Sequence, residues 1–177
     1  MIHHYQDKIP NIHPSVFVAK NATIIGDVTI EEEASIWFQT VIRGDVAPTK
    51  IGKRVNIQDL SLIHQSPHLP VIIEDDVSIG HQVTIHGCIV NNRALIGMGS
   101  ILLDGVEIGE NAFIGAGSLV SPYTKIPPFT LAFGRPAKVI RELTKEDIAE
   151  MNRINHSYVD KRNYYIQHPN LHKDLSC

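Results

Sequence analysis

The chain has 177 residues, with 16 lysines and arginines against 19 aspartates and glutamates, for a formal net charge of −3. This length favours one compact domain, and the near-balanced charge argues against a protein that coats nucleic acid or an anionic membrane. A hydrophobic content of 43% is typical of a globular chain, and no apolar run approaches the ~20 residues that a membrane span needs.

The cysteine content and the N-terminal sequence indicate the compartment. Cys88 and Cys177 lie far apart and provide no disulfide framework, so a reducing interior is expected. The first residues lack the basic and apolar regions of a secretory signal. We therefore expect a cytoplasmic protein.

An aliphatic residue recurs at every sixth position from Ile12 to Ile126, with short insertions after Ile42 and Ile63 and one residue missing before Val90. A period of six fits neither a helix nor simple strand alternation. It fits flat sides separated by corners, three sides to a coil of about eighteen residues, as in hexapeptide β-helices. The sequence therefore predicts an all-β parallel β-helix of about six coils over residues 1–139.

If the aliphatic anchor is position one, a small or β-branched residue stands at position five, and Asn, Asp or Gly is frequent at position four. Strand alternation then places positions one and five inside and positions two and six outside. Position four is expected to be the corner, because those residue types tolerate left-handed backbone. A β-sandwich with strands that happen to repeat is the alternative, but it does not explain the two co-varying positions.

A helix is predicted after the repeats, over residues 140–167. Thr144 and Asp147 have the spacing of a capping box, and a polar tail follows over residues 168–177. An apolar stripe at helical spacing is expected to pack against a flank of the β-helix; it consists of Ile148, Met151, Ile154 and Tyr158.

The hexad register brings scattered polar residues together. Arg43, His64 and His86 all occupy the outward position two, and successive members are one full coil apart. They should therefore lie one above another, with His64 and His86 close enough to share one metal ion. Asp59 and His81 both occupy position three, on a corner, one coil apart.

His81 precedes His86 by five residues, so it lies at the opposite end of a side roughly 15 Å long. Within one chain it points away from the other two histidines. Three chains packed around a threefold axis would bring one chain's corner against the next chain's side, so that His81 completes the pair of a neighbour. The alternative is that these are three ordinary surface histidines among the ten in the chain.

Outward position six on the histidine side forms an apolar column, which favours a buried contact between subunits. The alternative is that the column lies under the C-terminal helix. Its apolar members are Val41, Leu62, Ile101 and Leu119, and Thr23 and Thr84 complete it.

Several motifs over about residues 10–165 resemble the gamma-class carbonic anhydrases. They are Trp37–Asp45 (WFQTVIRGD), Ile51-Gly52, Asn56–Asp59 (NIQD), His64, Gly80-His81, His86-Gly87 and Gly134–Lys138 (GRPAK). The resemblance implies a left-handed β-helix and a homotrimer with metal sites at the subunit interfaces. It makes His64, His81 and His86 the metal ligands, with His81 donated across the interface.

The resemblance also implies the activity, which is reversible hydration of CO₂ to bicarbonate by a metal-bound hydroxide. Zn²⁺ is the expected cofactor, and Fe²⁺ or Co²⁺ would also accept imidazole ligands. Arg43, Asp45 and Asp59 resemble the family's ion-paired residues beside the site, and no nucleic-acid or membrane partner is expected.

Further catalytic candidates come from the same resemblance. Gln58 resembles the residue that orients the metal-bound water, and Asn56 belongs to the same motif. Active archaeal members carry a glutamate where this chain has Val46. His68 and Tyr158 are the candidates to export the proton in its place, and this departure favours metal binding over fast hydration.

Two other functions remain open. Hexapeptide acyl-CoA acyltransferases share the repeats and the Gly-x-Pro-Ala-Lys motif, but they need a lone histidine base rather than three aligned histidines. A non-catalytic trimeric scaffold would keep the metal only to hold its subunits together.

Overall fold

The computed structural model describes residues 1–169, which form a stack of short strands followed by one helix. The helix, α1, spans Lys145–Gln167. The strands are β1 Ile2–His3, β2 Asn11–Ile12, β3 Phe17–Val18, β4 Thr23–Ile30, β5 Ser35–Ile36, β6 Val41–Ile51, β7 Asn56–Ile57, β8 Leu62–His64, β9 Val71–Ile73, β10 Ser78–Ile79, β11 Thr84–His86, β12 Ile89–Val90, β13 Leu95–Ile96, β14 Ile101–Leu102, β15 Glu107–Ile108, β16 Phe113–Ile114, β17 Leu119–Val120, β18 Lys125–Ile126, β19 Thr130–Gly134 and β20 Ala137–Glu142.

The strands form the three faces of a prism. The helix face consists of β3, β5, β7, β10, β13, β16 and β19. The histidine face consists of β1, β8, β11, β14, β17 and the first halves of β4 and β6. The third face consists of β2, β9, β12, β15, β18 and the second halves of β4 and β6. Neighbours within each face pair in parallel, which confirms the predicted parallel β-helix.

The core follows the predicted hexad register. Ile24, Ile42, Ile63 and Ile85 stack inside the histidine face with no exposed surface. Position five is equally buried, and its small side chains leave room for the aliphatic anchors where three sides converge; examples are Ala34, Val55, Val77, Ala94 and Ala112. Burial of β-branched side chains on every turn is thus the main stabilising contribution.

Position four forms the corners, as predicted, but with a wider range of residue types. Asp76, Gly99 and Asn111 have positive φ there, and so do Leu60 (φ 64°) and Tyr123 (φ 58°). The stack of neighbouring turns sets the corner, so the conformation is kept even where a Cβ makes it costly by roughly 1–2 kcal/mol. Asp27 and Asp45, which share this position, lie instead within the continuous strands β4 and β6.

The prism has about seven turns, one more than the six predicted. The aliphatic count ended at Ile126, but Ala132, six residues on, takes the next inward position in β19 with 0% exposure. An alanine suffices there because β20 then folds back antiparallel onto β19 and ends the stack.

The helix packs on the helix face, against β3, β5, β7 and β10. Phe17 and Trp37 of that face contact Tyr158 and Tyr165 of α1, with ring centroids 5.2–5.4 Å apart. Thr144 and Asp147 form the predicted capping box. The helix begins at Lys145, and residues 140–142 of the predicted helical segment belong instead to β20.

Two buried polar residues of α1 were not expected from its apolar stripe. Asn155 donates from Nδ2 to the backbone carbonyls of Arg54 and Asp76, at 3.0 and 2.9 Å, and Arg162 donates to the carbonyl of Ser15. These hydrogen bonds satisfy carbonyls of turn residues that the helix would otherwise bury without a partner.

The predicted tail over 168–177 lies outside the described residues from position 170 onward. Among the residues that are described, no helix combines the length and the apolar character required to cross a bilayer.

Candidate metal centre

His64 and His86 lie side by side on the histidine face. They are direct register partners in β8 and β11, and His64 Nδ1 lies 3.0 Å from His86 Nε2. Both side chains are partly buried. The two ring nitrogens therefore converge on one point, which is the arrangement that two imidazole ligands of one ion require.

The other nitrogen of His64 contacts an ion pair from the turn before it. His64 Nε2 lies 3.1 Å from Asp45 Oδ1 and 3.0 Å from Arg43 Nη2, and Arg43 Nη2 lies 3.0 Å from Asp45 Oδ2. Burial raises the pKa of Asp45, but the Arg43 guanidinium outweighs it and holds that pKa below its ordinary value. Arg43 and Asp45 thus pair within one chain, and the register places Arg43 beside the histidines as predicted.

The other nitrogen of His86 contacts a carboxylate that the sequence analysis did not single out. His86 Nδ1 lies 2.5 Å from Asp104 Oδ1, and Ser66 Oγ donates to Asp104 Oδ2 at 2.6 Å. The Ser66 hydrogen bond is the main reason why the pKa of Asp104 lies below its ordinary value. A carboxylate at position three, one turn beyond His86, was the only sequence signal for this contact.

His81 lies at the corner between the helix face and the histidine face, directly after β10. Its Nδ1 lies 2.7 Å from Asp59 Oδ2, one turn away, as the register predicted. Its Nε2 is 3.4 Å from the hydroxyl of Tyr158 on α1. Burial, followed by the charge of Asp59, raises the pKa of Tyr158 to about 12, so this phenol stays protonated at neutral pH.

Gln58 and Asn56 lie on the helix face beside His81. Both are buried, and Gln58 Nε2 donates to Asn56 Oδ1 at 3.0 Å while Asn56 Nδ2 donates to Ser78 Oγ at 2.8 Å. Gln58, His81 and Tyr158 line one mostly apolar cleft of about 270 Å³. The candidate catalytic residues Gln58 and Tyr158 are therefore on the His81 side of the chain.

The site residues thus fall into two groups, one on the histidine face and one at the His81 corner. Within residues 1–169 of a single chain, no three His, Cys, Asp or Glu side chains form a complete metal site. His68 lies exposed at the tip of the turn that links Ser66 to Leu69.

The apolar column lies on the histidine face and not under the helix, since α1 covers the helix face. Leu62 keeps 41% of its surface exposed, and Val41, Ile101 and Leu119 are partly exposed. The alternative explanation of this column, burial under α1, is therefore wrong.

The chain is similar to several known proteins. Residues 87–122 match the bacterial transferase hexapeptide (six repeats) family. The chain is 66% identical over 165 residues to a protein named carbonic anhydrase from Geobacillus kaustophilus, covering 93% of this chain and 91% of that relative. It is 42% identical to the mitochondrial gamma carbonic anhydrase 2 of Arabidopsis thaliana, covering 87% of this chain and 58% of the plant protein.

Among solved structures, a Bacillus cereus protein described as a putative acetyltransferase superposes with a TM-score of 0.92. Its sequence is 64% identical, and the match covers 93% of this chain and 95% of that one. The names given to these similar proteins thus include both a carbonic anhydrase and a transferase.

Proposed function

Because this chain belongs to the gamma-carbonic-anhydrase-like family of hexapeptide-repeat proteins, we propose that it catalyses the metal-dependent, reversible hydration of CO₂ to bicarbonate. The observation that carries the proposal is the convergence of His64 Nδ1 and His86 Nε2 to 3.0 Å. Each of these rings presents its other nitrogen to a carboxylate, Asp45 or Asp104.

The donor set fits a divalent metal. A metal-bound histidine generally donates its second ring N–H to a carboxylate, a backbone carbonyl or water, which fixes the ring and raises its basicity. His64, His81 and His86 all have such a partner. Three neutral imidazoles suit Zn²⁺, Fe²⁺ or Co²⁺, and a bound Zn²⁺ would lower the pKa of water to ~7, a value known from carbonic anhydrases.

We propose that His81 comes from a neighbouring subunit of a homotrimer. This rests on the place of His81 at the opposite corner from the pair, and on the partly exposed apolar column beside the pair. Packing that column against a neighbour removes apolar surface from water and brings a second chain to the histidine face.

The remaining residues take roles that their contacts permit. Gln58 is held by Asn56, so its amide is a fixed hydrogen-bonding group beside His81 that can orient a water molecule. Tyr158 stays protonated and can donate a hydrogen bond there. Hydration of CO₂ releases one proton with each bicarbonate, and His68, exposed at its loop tip, is our candidate to pass that proton to solvent.

We propose the cytoplasm as the compartment. Cys88 is free and buried, and burial raises the pKa of its thiol to about 12, so it behaves as an inert core side chain. A free cysteine of this kind fits a reducing compartment.

The test is stopped-flow CO₂ hydration on protein purified without oxygen, with the metal content measured on the same sample. We expect about one ion per subunit and a rate that rises in proportion to the metal content. If protein with a full complement of Zn²⁺, Fe²⁺ or Co²⁺ hydrates CO₂ no faster than buffer does, the proposed hydratase activity is wrong. The non-catalytic scaffold, which keeps the metal only to hold its subunits together, would then remain.

An acyl-CoA-dependent acyltransferase is the second candidate, because the similar Bacillus cereus structure is described as a putative acetyltransferase. That chemistry has no use for His64 and His86 held nitrogen to nitrogen. Acyl transfer from acetyl-CoA by metal-free protein would favour this candidate. If removing the metal abolishes all activity of the protein, this candidate is excluded.

A further inference from the structure

Asp104 uses both of its carboxylate oxygens beside the histidine pair. It follows β14 and lies one turn beyond β11, with Oδ1 2.5 Å from His86 Nδ1. Its Oδ2 accepts a hydrogen bond from Ser66 Oγ at 2.6 Å. Ser66 belongs to the loop that follows His64, so the carboxylate links the segments that carry both histidines.

The protein chain leaves little freedom at this contact. Gly87, directly after His86, has φ +53°, and a Cβ there would lie 2.8 Å from Asp104 Oδ1 and 3.1 Å from Leu69 Cβ. The Gly87 amide donates to the His64 carbonyl at 3.0 Å, and the Gly105 amide donates to the Gly87 carbonyl at 2.7 Å. These backbone hydrogen bonds hold the carboxylate against the imidazole.

The contact determines which nitrogen of His86 carries the proton. An ionised carboxylate only accepts hydrogen bonds, so Nδ1 must be the N–H, and Nε2 keeps the lone pair that a metal needs. His64 differs, because its Nε2 lies between a donor, Arg43, and an acceptor, Asp45. In the metal-free chain, His64 Nδ1 lies 3.0 Å from the lone pair of His86 Nε2, so Nδ1 donates there and Nε2 of His64 accepts from Arg43. Only His86 therefore has its tautomer set by a carboxylate.

We propose that Asp104, held by Ser66, is a positioning residue that fixes His86 as an Nε2 metal ligand. The metal part of this proposal rests on the proposed function. The tautomer part does not, since it concerns the metal-free chain.

The first experiment is nitrogen-15 NMR of the histidine rings in metal-free protein. Wild type should show His86 as the Nδ1-protonated tautomer. Asp104→Ala should give a mixture of tautomers, and Asp104→Asn should restore the wild-type form, because its amide oxygen can still accept from Nδ1–H. An unchanged tautomer in Asp104→Ala would overturn the proposal.

The second experiment measures Zn²⁺ affinity by competition with a chelator. We expect Asp104→Ala to weaken binding by about 10- to 100-fold, with Asp104→Asn in between. Ser66→Ala, which keeps the carboxylate, should weaken it less. Glu107→Ala is the matched control, because this nearby carboxylate pairs with Lys125 and not with a histidine.

The outcomes separate the two proposals. Wild-type protein that binds no metal refutes the proposed function, and the NMR result then decides the role of Asp104 alone. Wild-type protein that binds metal, with Asp104→Ala binding it equally well, refutes the positioning role and leaves the function standing. Thermal unfolding of each variant shows that it is folded before either measurement is interpreted.

Discussion

Each candidate ligand histidine has a carboxylate partner of its own, and this is the main result at the scale of single residues. Asp45 contacts His64, Asp59 contacts His81, and Asp104 contacts His86. Two imidazoles placed together for packing alone would need no such partners. The repeated pairing is what metal-binding histidines generally show, and it supports the proposed metal centre.

Replacing His81 separates metal binding from folding. His81→Ala should remove the metal from the protein while changing the free energy of unfolding of the metal-free form by no more than ~0.5 kcal/mol, because the side chain is 41% exposed at a corner. Metal content by mass spectrometry and urea unfolding measure the two effects.

His156→Ala serves as the control for that variant, since His156 is exposed on α1, away from the histidine face. It should keep the full metal content. A His81→Ala protein that also keeps it would remove His81 from the ligand set.

The register of single residues could be predicted from the sequence, but some of their contacts could not. His64 stacks on His86 and Asp59 lies beside His81 because a period of six fixes both turn and side. Asp104 was missed because its contact with His86 joins two different hexad positions and also involves Ser66, which lies in an insertion outside the repeat. Asn155 was missed because the corner carbonyls that it satisfies belong to residues 101 and 79 positions earlier.

At the scale of elements, the helix is defined by its N-terminal cap and by its aromatic contacts with the helix face. Thr144 accepts from the Asp147 amide, and the Asp147 carboxylate accepts from the Thr144 amide at 2.7 Å. The sequence predicted this box, but it did not predict that the residues before it form an edge strand. Pairing of β20 with β19 is a tertiary contact that local periodicity does not contain.

Removing the cap should destabilise the helix. Thr144→Ala is expected to lower the free energy of unfolding by about 1 kcal/mol, because the first turn loses a hydrogen-bond acceptor. Urea unfolding followed by circular dichroism measures this, with Lys145→Ala, an exposed first-turn substitution, as the control. Equal stability of the two variants would contradict the role of the cap.

The acidic partner of the cap makes this contribution depend on pH. The Arg141 hydrogen bond, followed by the Thr144 backbone, depresses the pKa of Asp147. A carboxyl whose pKa is lower when folded stabilises the protein above its unfolded pKa, and that stabilisation is lost as the pH falls through the folded value. Asp147→Asn should therefore lower the melting temperature at pH 7, and this difference should shrink in strong acid. A difference that stays constant with pH would contradict the assignment.

At the scale of the whole molecule, the histidine face is the surface at which we propose that another subunit binds. The helix covers the helix face, while the histidine face keeps its apolar column partly exposed. Exposed apolar columns of this kind mark contact surfaces. The sequence could predict the column but not which face the helix would take, since both faces repeat with the same period.

A charge in this column should disrupt the proposed trimer. Leu62→Glu is expected to convert the protein to a monomer, because a carboxylate cannot be buried there without a partner. Sedimentation velocity measures the change. Ile89→Glu is the matched control, since Ile89 is similarly exposed but lies on the third face. A Leu62→Glu variant that remains trimeric would place the interface elsewhere.

The most direct test of the shared metal centre mixes two inactive variants. His81→Ala chains keep the His64 and His86 pair, and His64→Ala chains keep His81, so an interface between the two kinds can hold a complete site. Random mixing in a cyclic trimer should restore metal to about one quarter of the sites, although neither variant binds it alone. Mixed trimers, identified by native mass spectrometry, that contain no metal would contradict a site shared between subunits.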